Sequence, residues 1–256
     1  MENHPLKRRD VLKLLAVGGA VIGGLQYARL ASASEPVGNS KHKWVMVIDQ
    51  AKCIGCGYCT MACRAHNDVA PEISWNKVIQ VGKIGEKQVF LSRPCMQCEH
   101  APCVEVCMVK ASYRRADGIV MMDYDRCIGC RYCEIACPYN ARAFNWKPFT
   151  GPNPAVPTWG SPEVPRRPRG VVEKCTFCYH RIDRGLSLGL TPGVDEDATP
   201  ACVVACLVQA RAFGDINDPE SVVSKLLAQY SSYRLREDLG TMPHVYYLPA
   251  REEKTA

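Results

Sequence analysis

Cysteine is the residue type in this sequence whose number and spacing point to chemistry. The chain of 256 residues contains 16 cysteines, which fall into four groups of four with none left over. So many cysteines indicate either a disulfide scaffold or a metal protein, and spacing decides between the two. In chain order the groups are Cys53, Cys56, Cys59 and Cys63 (group one); Cys95, Cys98, Cys103 and Cys107 (group two); Cys127, Cys130, Cys133 and Cys137 (group three); and Cys175, Cys178, Cys202 and Cys206 (group four).

The spacing favours iron–sulfur clusters. Groups one and three both read C-x2-C-x2-C-x3-C, and Pro138 follows group three, as in bacterial ferredoxins. Three cysteines two residues apart predict a tight loop around one [4Fe–4S] cluster, and Gly55 and Gly129 lie where a side chain would obstruct the approach of backbone amides. The fourth cysteine is predicted to begin a helix, with Pro138 in its first turn, and to bind the neighbouring cluster. Structural zinc sites use paired ligands and disulfides need no quartets, so four [4Fe–4S] clusters are expected.

The first 33 residues have the features of a twin-arginine export signal. Arg8 and Arg9 are followed by apolar residues and Lys13, and the apolar stretch Leu14–Leu25 is too short to span a bilayer, which needs about 20 residues. A small-x-small site places cleavage after Ala33, with an uncleaved anchor or a buried helix as the alternative. The expected location is therefore the periplasmic or outer face of the cytoplasmic membrane. The formal net charge of +6 is too small an excess to argue for nucleic-acid binding.

The cysteine motifs and their surroundings resemble a known family. They are similar to the four-cluster ferredoxin-like β subunits of complex iron–sulfur molybdoenzymes, such as polysulfide, tetrathionate and thiosulfate reductases. The iron–sulfur subunit of the Dsr membrane complex, which is associated with sulfite reduction, is also similar. Two positions depart from the family pattern, because Met108 and Leu207 stand where relatives usually have proline. The similar stretches are Cys53–Cys63, Cys95–Cys107, Asp125–Pro138, Val171–His180, Phe213–Pro219 and Leu239–Leu248, within a resemblance that covers Trp44–Leu248.

The resemblance implies that groups one and four form one ferredoxin-like module and that groups two and three form another, inserted within it. Spacing alone would pair group one with two and group three with four. Exchange of the fourth ligands between the groups of a module would give four sites. These are Cys53, Cys56, Cys59 and Cys206 (site A); Cys63, Cys175, Cys178 and Cys202 (site B); Cys95, Cys98, Cys103 and Cys137 (site C); and Cys107, Cys127, Cys130 and Cys133 (site D).

The expected fold class is α+β, with two nested bacterial-type ferredoxin-like modules, a Pro-rich insertion and a C-terminal arm. Strands are predicted at Lys43–Asp49, Lys87–Leu91 and Gly118–Asp123, with short helices after each quartet. Another helix is predicted over Glu220–Gln229, after an N-cap and Pro219. The expected divisions are the signal (1–33), the first module (34–90 and 171–215), the second module (91–147), the Pro-rich loop (148–170) and the docking arm (216–256).

Several polar side chains lie near the cysteines in the sequence. With complete cysteine quartets, His66, His100 and His180 are expected to lie outside the ligand sets, as outer hydrogen-bonding or surface residues. Positive charge beside ligands raises a cluster's potential, although solvent exposure with a salt bridge to a partner is the simpler interpretation. The cations concerned are Arg64, Arg131 and Lys174, and the Pro-rich loop adds Arg166, Arg167 and Arg169, which either contact a partner or form a solvated face.

An electron-transfer subunit is the function expected from these features. The sequence has no nucleotide-binding glycine loop, no nucleophile motif and no cysteine outside the quartets. The resemblance implies a molybdopterin-type catalytic partner and a multi-helix, quinone-reactive membrane partner in an anaerobic respiratory complex. The alternative within the resemblance is the Dsr-type complex, without a molybdopterin partner. A sensor or structural module that carries no electron flux, and an enzyme with its own substrate at an open cluster, are two further alternatives.

Overall fold

The structure of the protein, a computed structural model, describes residues 40–251. The predicted export signal and the last five residues lie outside this range. No helix within it is both long enough and apolar enough to cross a membrane. In chain order, its elements are β1 Trp44–Asp49, α1 Tyr58–His66, β2 Lys77–Ile84, β3 Lys87–Arg93, α2 Pro102–Glu105, β4 Ser112–Arg114, β5 Val120–Met122, α3 Tyr132–Ile135, β6 Arg142–Phe144, β7 Val172–Lys174, α4 Tyr179–Ser187, α5 Ala201–Val204, β8 Arg211–Asp215, α6 Val222–Gln229 and β9 Val245–Leu248.

A three-stranded sheet joins the beginning of the described chain to its end. β1 pairs antiparallel with β8 and parallel with β9, so Trp44 lies opposite Asp215. All six residues of β1 are buried, because alternate side chains enter two different apolar clusters. Val45 and Val47 pack with Val223 of α6, whereas the side chains between them face the main core. The sheet therefore brings the chain around group one next to the chain around group four.

Three two-stranded antiparallel sheets complete the described β structure: β2 with β3, β4 with β5, and β6 with β7. The strands predicted at Lys87–Leu91 and Gly118–Asp123 correspond to β3 and β5. Between β6 and β7, residues 145–171 contain neither helix nor strand, as the prolines of this segment predict. Small mixed α and β elements of this kind agree with the expected α+β class.

The prediction that a helix follows each quartet was wrong. The short helices lie inside the groups instead: α1 carries Cys59 and Cys63, and α3 carries Cys133. Cys137 comes after α3, and Pro138 enters a tight turn in which Asn140 N donates to Cys137 O (3.2 Å). The turn reverses the chain into β6, which begins only five residues after Cys137, so there is no length available for a helix.

The N-cap predicted for the last helix was also wrong. α6 begins after Ser221, whose Oγ accepts a hydrogen bond from Ser224 N (3.2 Å). Asp218 forms an Asx-type turn instead, in which Glu220 N donates to its Oδ1 (2.9 Å). The side chain that satisfies the first free amides of the helix is therefore a serine three residues further along the chain.

The arginines of the Pro-rich segment bind other parts of the same chain. Burial of Arg167 excludes it from a solvated face, whereas Arg166 is partly exposed and Arg169 is exposed, so a partner contact at these two residues stays a prediction. Arg166 Nε donates to Asp68 Oδ2 (2.8 Å), and its guanidinium lies over the Phe149 ring. Arg167 is buried and donates to Glu173 Oε2 (2.6 Å). These contacts attach a segment without regular structure to the surface beside α1.

Candidate metal centres

Site A is a shallow cavity lined by thiols from two distant parts of the chain. Cys53 and Cys56 lie on the loop after β1, Cys59 lies on α1, and Cys206 follows α5. Burial, and then the charges of Cys59 and Cys206, raise the pKa of Cys53 above its ordinary value. Cys56 is exposed to solvent. The structure thus brings together the four cysteines that the resemblance assigns to site A.

Site B is buried throughout. Burial raises the pKa of Cys63 well above its ordinary value, and the charges of Cys175, Cys178 and Cys202 raise it further. Burial, followed by the charge of Cys95, raises the pKa of Cys175 to about 11. Cys63 therefore lies among three cysteines of group four, and Cys95 of site C is the next sulfur to affect this site.

Sites C and D lie around the short helices α2 and α3, which carry Cys103 and Cys133. Burial raises the pKa of Cys98, and the charges of Cys95, Cys103 and Cys137 act on the same thiol. Cys133 has its pKa raised by burial and then by Cys103 and Cys107. Cys130, on the loop before α3, is exposed, as Cys56 is in site A.

The glycines of the cysteine loops are required by what packs behind them. Gly55 has φ +74°, and a Cβ there would lie 2.5 Å from the Phe90 ring. Gly129 has φ +71°, and its Cβ would lie 2.3 Å from Gly170 O. The nearest neighbours of these added carbons are thus a ring and a carbonyl, and positive φ adds a further penalty for any other residue. Packing therefore requires glycine at both positions, whereas the predicted approach of backbone amides to a cluster stays a prediction.

Hydrogen bonds to the thiols favour their anionic form. Asn76 Nδ2 donates to Cys59 Sγ (3.2 Å), and Asn67 Nδ2 donates to Cys178 Sγ (3.5 Å). Burial raises the pKa of Cys59, but Arg211 and the hydrogen bonds from Ser92, Arg211 and Asn76 bring it below its ordinary value. A thiolate is the form of cysteine that binds metals, so these donors fit a cluster ligand. Among the described residues, no group of three or more His, Cys, Asp or Glu side chains is arranged to hold a single metal ion.

Sequence patterns did not indicate the role of four buried hydrogen-bond donors to thiols: Asn67, Asn76, Arg142 and Arg211. Arg142 Nη2 donates to Cys103 Sγ (3.2 Å), and the Arg211 guanidinium hydrogen-bonds to Cys59. Both arginines stand five residues after the fourth cysteine of their group. This shared spacing could have identified the two arginines from the sequence, whereas no neighbouring motif distinguishes the two asparagines.

The polar residues singled out in the sequence have various environments. His66 Nδ1 and His180 Nε2 contact the two oxygens of Glu163 (2.8 and 2.9 Å), and His100 is exposed. Arg64 donates to the carbonyls of Pro71 and Ile73, and Arg131 stacks over Trp146. For Lys174 the simpler interpretation was wrong: it has no exposed surface, and its Nζ donates to Val120 O and to Cys175 O (2.7 Å).

The fold and the cysteine sites together define a ferredoxin-like [4Fe–4S] protein. Two family models agree with this class. Residues 44–65 match a 4Fe-4S binding domain, and residues 86–150 match a 4Fe-4S dicluster domain. The chain therefore binds multiple [4Fe–4S] clusters, as the cysteine spacing predicted.

Full-length relatives extend the match well beyond these two regions. The iron–sulfur cluster-binding subunit of menaquinone reductase from Nitratidesulfovibrio vulgaris is 46% identical over 83% of this chain and 91% of its own length. One subunit of tetrathionate reductase from Salmonella typhimurium is 36% identical over 96% of this chain and 89% of its own length. One subunit of polysulfide reductase from Wolinella succinogenes is 36% identical over 81% and 94%, respectively. The protein described here belongs to this family of iron–sulfur electron-transfer subunits of oxidoreductase complexes.

Proposed function

We propose that this chain relays single electrons through four [4Fe–4S] clusters. The partners at either end would be a molybdopterin-type catalytic subunit and a quinone-reactive membrane subunit of an anaerobic respiratory oxidoreductase. When bound, each cluster supplies one-electron redox chemistry. The observation that supports the proposal is the difference in exposure among the proposed quartets: seven of the eight thiols of sites B and C are buried, whereas Cys56 of site A and Cys130 of site D reach solvent. The residues of the chain hold the clusters, order them and exclude water from the middle of the series.

The ligand sets that we propose are sites A to D as defined above. Support for site A comes from the cavity that Cys206 shares with the three group-one thiols, and support for site B comes from the charges around Cys63. A Cys206→Ala variant tests the crossed pairing. It should lose the cluster of site A and keep the cluster of site B, which Cys63 and the rest of group four would bind. Loss of the site B cluster alone would instead assign Cys206 to its own group.

The order of the sites follows from which thiols influence one another across site boundaries. The charge of Cys59 in site A acts on Cys202 in site B, and that of Cys95 in site C acts on Cys175 in site B. Cys103 in site C likewise acts on Cys133 in site D. We therefore propose the order A–B–C–D, with sites A and D as the points where electrons enter or leave.

Each outer site has exposed apolar residues beside its ligands. Ile54 and Leu207 each follow a ligand of site A, and Ile128 and Met108 each follow a ligand of site D. All four side chains are exposed, Leu207 to 73%. Exposed apolar groups beside redox ligands fit docking surfaces for protein partners. The two positions without the proline of the family thus belong to these proposed surfaces.

The two modules are proposed to be nested. β1, which precedes group one, pairs with β8, which follows group four, and groups two and three lie between them in the sequence. The proposed bounds are 34–90 with 171–215 for the outer module and 91–147 for the inner one. The Pro-rich loop would then be residues 148–170 and the docking arm residues 216–256.

Co-purification with electron-transfer measurements tests the relay. Anaerobic purification of the tagged full chain from its native membranes should yield a catalytic subunit and a membrane subunit, with about four clusters per chain. A quinol should reduce the clusters only in the complex. Recovery of a membrane subunit without a molybdopterin protein would favour the Dsr-type assembly. Clusters that no quinol and no catalytic substrate can reduce or oxidise would overturn the proposal.

Matched aspartate variants test the two docking surfaces. Leu207→Asp should abolish electron exchange with one partner, and Met108→Asp should abolish it with the other. Val194→Asp is the control, because Val194 is 71% exposed and does not adjoin a cysteine. If both patch variants impair exchange with the same partner, the assignment of one end to each partner fails.

Export by the twin-arginine route is likewise a proposal, and it rests on residues 1–33 of the sequence. It places the relay on the periplasmic or outer face of the cytoplasmic membrane, held there by its partner. An Arg8→Lys, Arg9→Lys double variant should accumulate in the cytoplasm with its signal uncleaved. Unchanged fractionation of that variant would remove the support for this location.

A further inference from the structure

Three buried cations in this structure have no carboxylate partner. Arg142, Lys174 and Arg211 are each at most 5% exposed, and within residues 40–251 none of them forms an ion pair with Asp or Glu. Their contacts are with sulfur atoms, backbone carbonyls and neutral polar groups. A buried charge without a counter-charge is strongly unfavourable. These side chains therefore require negative charge from groups other than carboxylates.

Other buried arginines of the chain contrast with these three. Arg167 donates to Glu173 Oε2 (2.6 Å), and Arg181 donates to Glu163 Oε1 (2.5 Å). Both have the carboxylate that a buried guanidinium ordinarily needs. Burial alone therefore does not explain why Arg142, Lys174 and Arg211 lack one.

Each of the three cations interacts with thiols of two neighbouring sites. Arg211 interacts with Cys59 of site A and Cys202 of site B. Lys174 interacts with Cys175 of site B and with Cys95 and Cys103 of site C. Arg142 interacts with Cys103 of site C and Cys133 of site D. One cation thus lies at each of the three junctions in the series A–B–C–D.

Both arginines also keep a donor free. Arg211 Nη1 donates to Ser92 Oγ (2.7 Å) and Asn76 Oδ1 (3.1 Å), and Arg142 Nη1 contacts Met122 Sδ (3.4 Å). The Nε atoms of both are buried without a hydrogen-bond partner. Buried N–H groups are almost always satisfied, so these donors fit acceptors such as the inorganic sulfides of a cluster.

We propose that Arg211, Lys174 and Arg142 are positioning cations of the relay, each stabilising the reduced form of the two clusters that flank it. This inference rests on the proposed function and adds to it a residue at every junction. A cluster gains negative charge on reduction, so a fixed positive charge nearby favours that form and raises the potential. Because each cation lies between two sites, it raises the reduction potentials of both clusters. The two potentials therefore stay similar, which favours transfer of single electrons between them.

Redox titration followed by EPR on the purified holoprotein tests the inference through potentials rather than activity. Arg211→Gln should shift the reduction equilibrium of two clusters at least tenfold towards the oxidised form, which is about 59 mV for a one-electron couple. Arg142→Gln should shift the other two. Lys174→Met should shift the reduction equilibria of the clusters at sites B and C. Arg115→Gln is the control, because Arg115 is partly buried but pairs with Asp117 and Asp183 (2.8 and 2.7 Å).

The outcomes separate this inference from the proposed function. If four clusters are present and no potential moves in the glutamine variants, the inference fails and the relay stands. If the wild-type protein does not hold four clusters, the relay itself fails. Where a glutamine variant binds fewer than four clusters, the charge-retaining variant Arg211→Lys decides. Equilibrium constants for cluster reduction within twofold of wild type in that variant support a charge effect. A tenfold or larger shift in that variant would overturn it.

Discussion

Arg142 and Lys174 lie directly opposite each other in the ladder of β6 and β7, and both side chains are buried. Like charges at directly opposed positions destabilise a sheet. Here the thiols of Cys95 and Cys103 interact with both cations, so negative charge at site C offsets the repulsion. The stability of the folded state around these two strands therefore depends on negative charge at site C.

Anaerobic removal of iron should consequently lower the stability of the chain. Loss of the cluster at site C leaves two opposed buried cations with less counter-charge, and an unpaired buried charge costs about 3–5 kcal/mol. Lys174→Met removes one of them, so iron removal should destabilise this variant less than wild type, by roughly 0.2–1 kcal/mol. Thermal unfolding of holo and iron-depleted protein provides the comparison. Arg115→Gln should keep the wild-type difference, and an equal difference in Lys174→Met would contradict the argument.

Gly129 provides a test of the loop that holds site D. A methyl group there meets Gly170 O at 2.3 Å in a left-handed backbone, and strain of this kind costs about 1–3 kcal/mol. Gly129→Ala should therefore be destabilised by at least that much and should lose the equivalent of one cluster in iron analysis. Gly82→Ala is the matched control, since nothing lies within 4 Å of its added carbon and its φ is not positive. Full cluster content in Gly129→Ala would show that the loop adapts.

Patterns local in sequence predicted more than patterns that depend on packing. β1 and β3 were predictable because the apolar and β-branched residues are contiguous, and the cysteine spacing identified the cofactor. The buried position of Lys174 was not predictable, because its neighbour Val120 comes from a hairpin more than fifty residues away. The N-cap of α6 and the role of Pro138 were predicted wrongly because aspartate and proline occur both in turns and at the starts of helices. Arg142 and Arg211 become recognisable only when the sites that they separate are known.

The interaction of His244 with Glu99 predicts a dependence of stability on pH. Burial lowers the pKa of His244, although Glu99 acts in the opposite direction. Burial raises the pKa of Glu99, but Lys43, His244 and Arg114 outweigh it and lower that pKa to about 2. A neutral imidazole donating Nε2–H to an ionised carboxylate (2.9 Å) accounts for both directions.

The sign follows from the proton count. The unfolded protein takes up a proton at His244 near pH 6.5, and the folded protein takes it up only at lower pH, so stability is complete above that value and declines below it. The decline should reach at most about 1.4 kcal/mol per pH unit. Denaturation of the holoprotein at pH 7 and at pH 5.5 should show a smaller decline in His244→Asn than in wild type. Burial also lowers the pKa of His180, so this residue should still contribute to the loss of stability at low pH in the variant.

The contrast between outer and inner sites predicts the order in which clusters are lost. Cys56 and Cys130 are exposed, whereas Cys175 and Cys202 are buried, and oxidant must reach a cluster or its ligands to release iron. Under mild oxidation with an iron chelator, about half of the iron should leave in a fast phase, that of sites A and D. Cysteine alkylation followed by mass spectrometry after this phase should label Cys56 and Cys130 and spare Cys175 and Cys202. Alkylation in denaturant, where every cysteine is accessible, provides the control. Labelling of all four cysteines in the fast phase would show that solvent reaches site B as readily as sites A and D, and would contradict the proposed difference between inner and outer sites.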